Sequence, residues 1–209
     1  PYPPAPRPCL EPQPGTDLFV GYYSSGSAKM SATAETVYMA GGFKGKDSAA
    51  FAPLTTTSCD GGAETSVVVV AFDVSPSDAP VASWVTVIGC GSREGGTFVE
   101  GDYIYASGRL SSNSTLTPAV GVAEANCKLT GALGGFLVKL NRADGTCVWA
   151  KDLAATTRIV ASTEAVWTAT GDDDPFSFDA DHEVNPAKRD FIVGKFRASD
   201  GVGLWGDLV

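Results

Sequence analysis

The densest group of residues able to do chemistry is a run of carboxylates between Gly171 and Glu183. Calcium takes about six to eight oxygen ligands, many of them from carboxylates, so this density of acids suits a calcium ion. The spacing differs from that of an EF-hand, because the central glycine and terminal glutamate of that loop are missing. A solvated acidic loop is the alternative interpretation. The expected ligands of a calcium site here are Asp172, Asp174, Asp179 and Asp181.

Other catalytic groups are sparse. His182 is the only histidine, and with no second base near it in the sequence a Ser-His-Asp or Cys-His arrangement has little support. Two distant acids could still meet as a glycosidase pair, yet no pair is singled out. We therefore predict no enzymatic activity and no cofactor other than calcium. The alternative is a metal-dependent hydrolase with the acidic loop, residues 172–181, at the mouth of its frame.

The cysteines favour disulfide bonds over a zinc site, because they form no CxxC pair and no cluster with histidine. There are five of them: Cys9, Cys59, Cys90, Cys127 and Cys147. Cys127 with Cys147, and Cys59 with Cys90, are the two pairings we consider. Since the number is odd, at least one thiol stays free, pairs with another chain or pairs with a segment outside this sequence, and Cys9 is the candidate.

The predicted location is extracellular or on a cell surface. Asn113 begins an Asn-Ser-Thr glycosylation sequon, which together with the cysteines indicates a secretory route. Fifteen basic and 24 acidic residues give a net charge of −9, which disfavours nucleic acid and anionic lipid as partners. The longest apolar stretch, Val67 to Phe72, has the length of a strand and predicts no membrane insertion. The expected partners are other protein chains of an extracellular assembly, with copies of this chain as one alternative.

Aromatic residues offer a second kind of site. Trp84, Trp149 and Trp205 could stack on sugars, but their regular recurrence favours packing between sheets. A carbohydrate- or protein-binding module would instead display aromatics at loop tips, for which the candidates are Phe51, Phe176 and Phe178.

The elements that would position these residues recur along the chain. Residues Lys29 to Gly42 align without a gap on Arg158 to Gly171, and Gly95 to Gly108 is a weaker middle copy. Each copy reads as an aromatic or β-branched strand followed by alanine and glycine, and we expect the strand to end in a turn at that glycine. The sequence thus predicts repeated small β units.

A second block follows each copy after a variable insertion. Residues Phe136 to Leu153 resemble Phe191 to Leu208, and each has an Asp-Gly pair, 144–145 or 200–201, between two apolar runs. Asp-Gly supplies the positive φ that a hairpin turn requires, so each block is predicted to be an antiparallel hairpin. An earlier, degenerate copy around Trp84 has Asp78-Ala79 in place of Asp-Gly.

These blocks predict units of four strands. In the first unit, strands are expected near Met30 to Thr33 and at Val37 to Ala40, followed by an irregular insertion and a hairpin. Copies would span about residues 28–90, 94–154 and 157–209, with a lone strand at 18–24. Residues 16–209 then form the repeat region. Residues 1–15, dense in proline, form an extended arm or linker.

A strand, an insertion and then "GGFLVKLNRADGTCVW" resemble the repeat of the seven-bladed β-propeller (SBBP-type) family, and the hairpin alone resembles quinoprotein-type propeller repeats. The resemblance implies an all-β fold of about three four-stranded antiparallel blades, part of a larger or multi-chain propeller, because a ring usually needs about four to eight blades. The expected function is an extracellular structural or interaction scaffold. A carbohydrate- or protein-binding receptor module and a propeller-framed hydrolase are the alternatives.

Overall fold

The fold is all-β, as predicted. The computed structural model describes residues 29–43, 66–74, 80–90, 95–110, 114–115, 117–118, 127–130, 134–153, 158–171, 176–179, 182–184 and 191–208. All regular elements in these ranges are β-strands. Within them there is no helix with the length and apolar character needed to cross a membrane. The predicted arm at 1–15 and the lone strand at 18–24 lie outside the described residues.

The first large sheet is formed by the strands β1 Lys29–Ala32, β2 Thr36–Phe43, β3 Ser66–Asp73 and β4 Val81–Cys90. They pair antiparallel in chain order, and a short strand, β8 Thr117–Pro118, adds to the edge at β4. Four consecutive valines of β3, residues 67–70, are all buried, because both faces of this sheet are covered. A strand covered on both sides needs no polar alternation, which explains this apolar run.

The second and third sheets have the same antiparallel order. The second contains β5 Gly95–Glu100, β6 Tyr103–Arg109, β10 Gly135–Asn141 and β11 Cys147–Leu153. The third contains β12 Arg158–Ala161, β13 Ala165–Gly171, β16 Phe191–Arg197 and β17 Gly203–Leu208. Short strands complete the described elements: β7 Ser114–Thr115 pairs with β9 Lys128–Leu129, and β14 Phe176–Asp179 pairs with β15 His182–Val184.

The three large sheets pack face to face, with the second between the other two. One core joins the first and second sheets and includes Tyr38, Trp84 and Phe136. Another core joins the second and third sheets and includes Trp149 and Phe196. The first strands of neighbouring sheets also meet, because β1 contacts β5 and β5 contacts β12. The aromatic residues picked out by the sequence pattern thus lie mainly between sheets.

Two of the three glycines predicted to end strands do not do so. Gly42 pairs with Val67 inside the first sheet, and Gly108 pairs with Phe136 inside the second. Gly171 is the last residue of β13 but still pairs across the sheet. Glycine weakens a strand through its entropy and missing side chain, but neither effect prevents ladder hydrogen bonds when a neighbouring strand is present. The prediction of a strand end was therefore wrong at Gly42 and Gly108, while Gly171 does end its strand.

Candidate sheet docking site

Each large sheet carries one row of four residues that lie opposite one another across its strands. We call these the first, second and third rows, in the order of their sheets. Cross-strand pairing places them as Ser31, Tyr38, Ala71 and Trp84 in the first row, Phe98, Tyr105, Lys139 and Trp149 in the second, and Val160, Trp167, Lys195 and Trp205 in the third. A tryptophan from the fourth strand of the sheet closes every row.

Two turns of matching geometry join the third and fourth strands of the second and third sheets. Gly145 and Gly201 both have φ of 72°, a backbone region that favours glycine. The carboxylates of Asp144 and Asp200 accept hydrogen bonds from the backbone N–H two residues on, at 2.9 and 3.1 Å. The positive φ expected of the Asp-Gly pairs is therefore confirmed. Each turn presents a glycine and a nearby carbonyl on the side facing the preceding sheet.

The tryptophans of the first and second rows each contact the turn of the next sheet, and we call these two rows the covered rows. Trp84 Nε1 donates to the carbonyl oxygen of Arg142 at 3.0 Å, and Trp149 Nε1 donates to that of Ala198 at 3.1 Å. A Cβ built on Gly145 would lie 2.8 Å from Trp84 Cδ2, too close for any real side chain. The same holds for Gly201, where the Cβ would lie 2.8 Å from Trp149 Cε3. Only glycine allows each turn to rest on the indole ring.

Lys139 of the second row supports the same contact. Its Nζ donates to the carbonyl oxygen of Ala198 at 2.9 Å and lies 3.7 Å from the centroid of the Tyr103 ring. The side chain is 6% exposed, and its burial lowers the pKa of Lys139. The Ala198 carbonyl thus accepts from both Lys139 and Trp149. This double acceptance ties the turn of the third sheet to the second row.

The aromatic pairs of the covered rows are alike. Ring centroids of Tyr38 and Trp84 are 6.1 Å apart, as are those of Tyr105 and Trp149. Burial is the main cause that raises the pKa of Tyr105 from 10.0 to about 12, with smaller contributions from Glu100 and Tyr103. The phenol of Tyr105 therefore stays neutral over the whole physiological range.

A cleft of about 430 Å³ opens between the first and second sheets. It lies where Ala71 occupies the place that Lys139 takes in the second row, so no long side chain fills the space. Its polar lining includes Asp102, Asn141, Arg142 and Asp144. Arg142 Nη2 and Asp102 Oδ1 are 3.8 Å apart at the cleft. The cleft could hold a small polar ligand.

The predicted calcium residues are not brought together by any described contact. Asp172, Asp174 and Asp181 lie outside the described residues. Asp179 ends β14 and pairs with His182 of β15, and nothing is described of its side chain. Among the side chains that the structure describes, no three of the His, Cys, Asp and Glu type form a group suited to a metal ion. The calcium site stays a prediction.

One of the two disulfide pairings considered from the sequence is present. Cys127 and Cys147 are bonded, with Cα atoms 6.1 Å apart, and both are buried beside the core between the first and second sheets. Cys90 ends β4, while Cys9 and Cys59 lie outside the described residues. The sequon residue Asn113, together with Phe51, also falls outside them. Phe176 and Phe178 are placed in β14 rather than in an irregular loop tip.

The three tryptophans that close the rows divide into two environments. Trp84 and Trp149 are each 2% exposed, which confirms that they belong to the core. Trp205 is 45% exposed, so the prediction that it too is buried was wrong for this chain. The described strands β14 and β15 contact β17 but leave Trp205 half-exposed. This difference in packing, rather than any difference in strand position, separates Trp205 from the other two.

Sequence reasoning missed the role of Lys139. The signal was available, because "VKLNRADG" and "GKFRASDG" carry lysine at the same distance before the Asp-Gly pair.

Comparisons of the chain with protein-family models, curated proteins and solved structures give no match. The arrangement itself is suited to one task, which is to hold one sheet face to face with the next.

Proposed function

We propose that the chain is a structural or interaction scaffold of an extracellular or cell-surface assembly, built from propeller-like units. The observation that carries this proposal is the repeated docking contact. A tryptophan N–H donates to a turn carbonyl between the first and second sheets and again between the second and third. A contact that occurs twice along one chain, each time between neighbouring sheets, serves the stacking of similar sheets.

A second set of matched contacts supports equivalence of the three sheets. In each sheet, a residue following the third strand donates its backbone N–H to the turn between the first two strands. The pairs are Val74 to Glu35 at 2.9 Å, Arg142 to Asp102 at 2.8 Å and Ala198 to Glu164 at 2.9 Å. The same local geometry recurring in each sheet is what copies of one unit would produce.

The disulfide supports the extracellular part of the proposal. Cysteines persist as disulfides mainly in oxidising compartments, and the Cys127–Cys147 bond is of this kind. The odd number of cysteines leaves at least one thiol for a bond to another chain. An interchain disulfide would suit a stable assembly outside the cell.

The proposal is tested on the full chain produced through a secretory pathway. We expect light scattering at micromolar concentrations to report species larger than one chain, and non-reducing peptide mapping to find a cysteine linked between chains. The control is the same material after reduction, in which the linked fraction is lost. A monodisperse monomer whose cysteines are all internal or free would contradict the proposal.

The cleft between the first and second sheets favours a binding module as the second candidate function. It has the volume of a small-ligand site, and its lining includes charged groups of both signs, such as Arg142 and Asp144. The aromatic residues beneath it, Tyr38 and Trp84, are only 3% and 2% exposed. Recognition would therefore depend on the polar rim more than on ring stacking.

A glycan array tests the second candidate. The matched control is Ala71→Lys, which introduces at the cleft the side chain that Lys139 supplies in the second row. Binding by the cleft predicts hits with the unmodified chain that are lost in A71K. An array without hits, or hits that A71K retains, would contradict a sugar-binding role for this cleft.

A further inference from the structure

We propose that the third row is a docking site for one further four-stranded antiparallel sheet. Its occupant is carried by a partner polypeptide and presents, between its third and fourth strands, a turn with a glycine of positive φ and an accessible carbonyl. This inference rests on the proposed scaffold function and identifies the surface and the kind of partner that the scaffold takes.

Exposure of the third row is the first observation. Val160 and Trp205, at its two ends, are 55% and 45% exposed, and the neighbouring Leu204 is 47% exposed. The tryptophans that close the first two rows, Trp84 and Trp149, are each 2% exposed under the next sheet. Large apolar side chains clustered on one open sheet face mark an interaction surface.

The chemistry of the third row matches that of the second. Lys195 and Trp205 lie opposite each other, as Lys139 and Trp149 do. In the second row both side chains donate to a single carbonyl, that of Ala198. Lys195 Nζ lies 5.6 Å from the centroid of the Trp167 ring, on the same row. The third row therefore offers an ammonium and an indole N–H to one turn carbonyl of the occupant.

The need for glycine sets the shape of the occupant. At both existing contacts the turn rests on the indole ring so closely that an added Cβ would overlap it. Trp205 is the same kind of ring at the same position of its row. An occupant with any other residue at this place of the turn could not approach to the same depth.

A second copy of this chain is a poorer occupant. The two turns of this kind in the described residues already contact Trp84 and Trp149. The outer face of the first sheet is also covered, since Val70 and Phe72 are 2% and 3% exposed. Two third rows placed against each other would oppose the Lys195 ammonium groups and offer Trp205 no carbonyl. A sheet from a partner polypeptide avoids these conflicts.

The test supplies such a sheet by tethering it to the full chain. A second copy of residues 154–209 is joined directly after Val209, because Val209 lies four positions after Trp205, as Leu153 does after Trp149. The appended copy then follows at the spacing that the third sheet has after the second. Tethering raises the effective concentration, so weak docking becomes measurable.

Burial of Trp205 is the readout. Paired chains with Trp205 or Trp205→Phe in the original copy give the emission of this indole by difference. We expect a blue shift and a severalfold fall in acrylamide quenching on extension. The matched control carries Gly201→Val in the appended copy only, and there we expect Trp205 to remain as quenchable as in the unextended chain.

Three outcomes of the tethering experiment would overturn the inference. Trp205 could stay fully quenchable beside a folded appended copy, or become protected in the Gly201→Val control as well. The appended copy could also remain unfolded by circular dichroism and proteolysis, which would mean that the third row does not receive the sheet assigned to it. Light scattering of the unextended chain tests the scaffold function separately. If that chain assembles but Trp205 of the extended chain stays exposed, only the present inference is rejected. Concentration-dependent burial of Trp205 in the unextended chain would instead identify a second copy as the occupant.

Discussion

The indole Nε1 of Trp149 donates a hydrogen bond to the carbonyl oxygen of Ala198, 3.1 Å away in the next sheet. These residues are 49 positions apart, so their meeting reports how two sheets pack rather than how one hairpin folds. Trp84 and Arg142 repeat the relationship one sheet earlier. The stability of the stack should therefore respond to these tryptophans in proportion to how well the next sheet covers them.

Removal of the indole should have unequal effects in the second and third rows. Trp149→Phe loses a buried hydrogen bond and part of a packed ring, and we expect a loss of about 1–3 kcal/mol in the free energy of unfolding. Trp205→Phe changes a half-exposed residue and should stay within about 0.5 kcal/mol of the parent. Urea denaturation followed by circular dichroism measures both. Equal losses of unfolding free energy in the two variants would contradict the burial and hydrogen bond of Trp149.

The turn glycines allow a comparison at nearly equal backbone geometry. Gly145→Ala and Gly134→Ala each place a side chain at positive φ, 72° and 75°, which disfavours alanine by about 1–2 kcal/mol. Only Gly145 faces a ring, since nothing lies within 4 Å of a Cβ at Gly134. We expect G145A to lose about 1–3 kcal/mol more than G134A, because overlap with Trp84 adds to the backbone strain. Similar losses of unfolding free energy in the two variants, measured by chemical denaturation, would contradict the docking contact.

Alkaline stability should reveal the burial of Tyr105. Its folded pKa is raised from 10.0 to about 12, so between these values the unfolded chain releases a proton that the folded chain keeps. This phenol therefore contributes stability that is present below pH 10 and is lost as the pH rises toward 12. Tyr105→Phe removes that loss, and its unfolding free energy should fall less steeply than that of the parent over this window. Parallel profiles would show that Tyr105 is accessible to solvent.

The disulfide should stabilise the core between the first and second sheets. Cys127 and Cys147 are 20 positions apart, and closing a loop of this size is worth about 3 kcal/mol in the chain-entropy account. We expect the double variant Cys127→Ala and Cys147→Ala to lose about 2–4 kcal/mol. Non-reducing peptide mapping of the parent should recover the two cysteines in one linked peptide pair. A different linkage in that map would contradict the structure.

Local chemistry explains what could be predicted from the sequence. The Asp-Gly turns were predictable because the conformation of Gly145 and Gly201 depends on a few neighbouring atoms. The four-stranded antiparallel arrangement followed from apolar runs separated by such turns. The strands did not end at Gly42 and Gly108 because pairing to β3 and β10 continues through them. Pairing of that kind depends on residues far away in the chain.

The docking site could not be predicted from single residues, because it depends on which sheet lies next to each of them. Lysine is rarely buried, and Lys139 is buried only because the Ala198 carbonyl of another sheet accepts its hydrogen bond. Trp205 looks the same as Trp149 in sequence, but its side chain stays 45% exposed. Burial is a property of the neighbour as much as of the residue, so recurrence alone predicted the wrong environment for Trp205.

The most direct test of the stacking account is a double-mutant cycle between Trp149 and Gly201, which belong to different sheets. Unfolding free energies are measured for the parent, Trp149→Phe, Gly201→Ala and the double variant, with Gly134→Ala replacing Gly201→Ala as the control cycle. We predict that Gly201→Ala loses at least about 1 kcal/mol less stability when Trp149 is already phenylalanine, while the control cycle is additive. Additivity of Trp149→Phe and Gly201→Ala within about 0.5 kcal/mol would contradict docking of the turn on the indole.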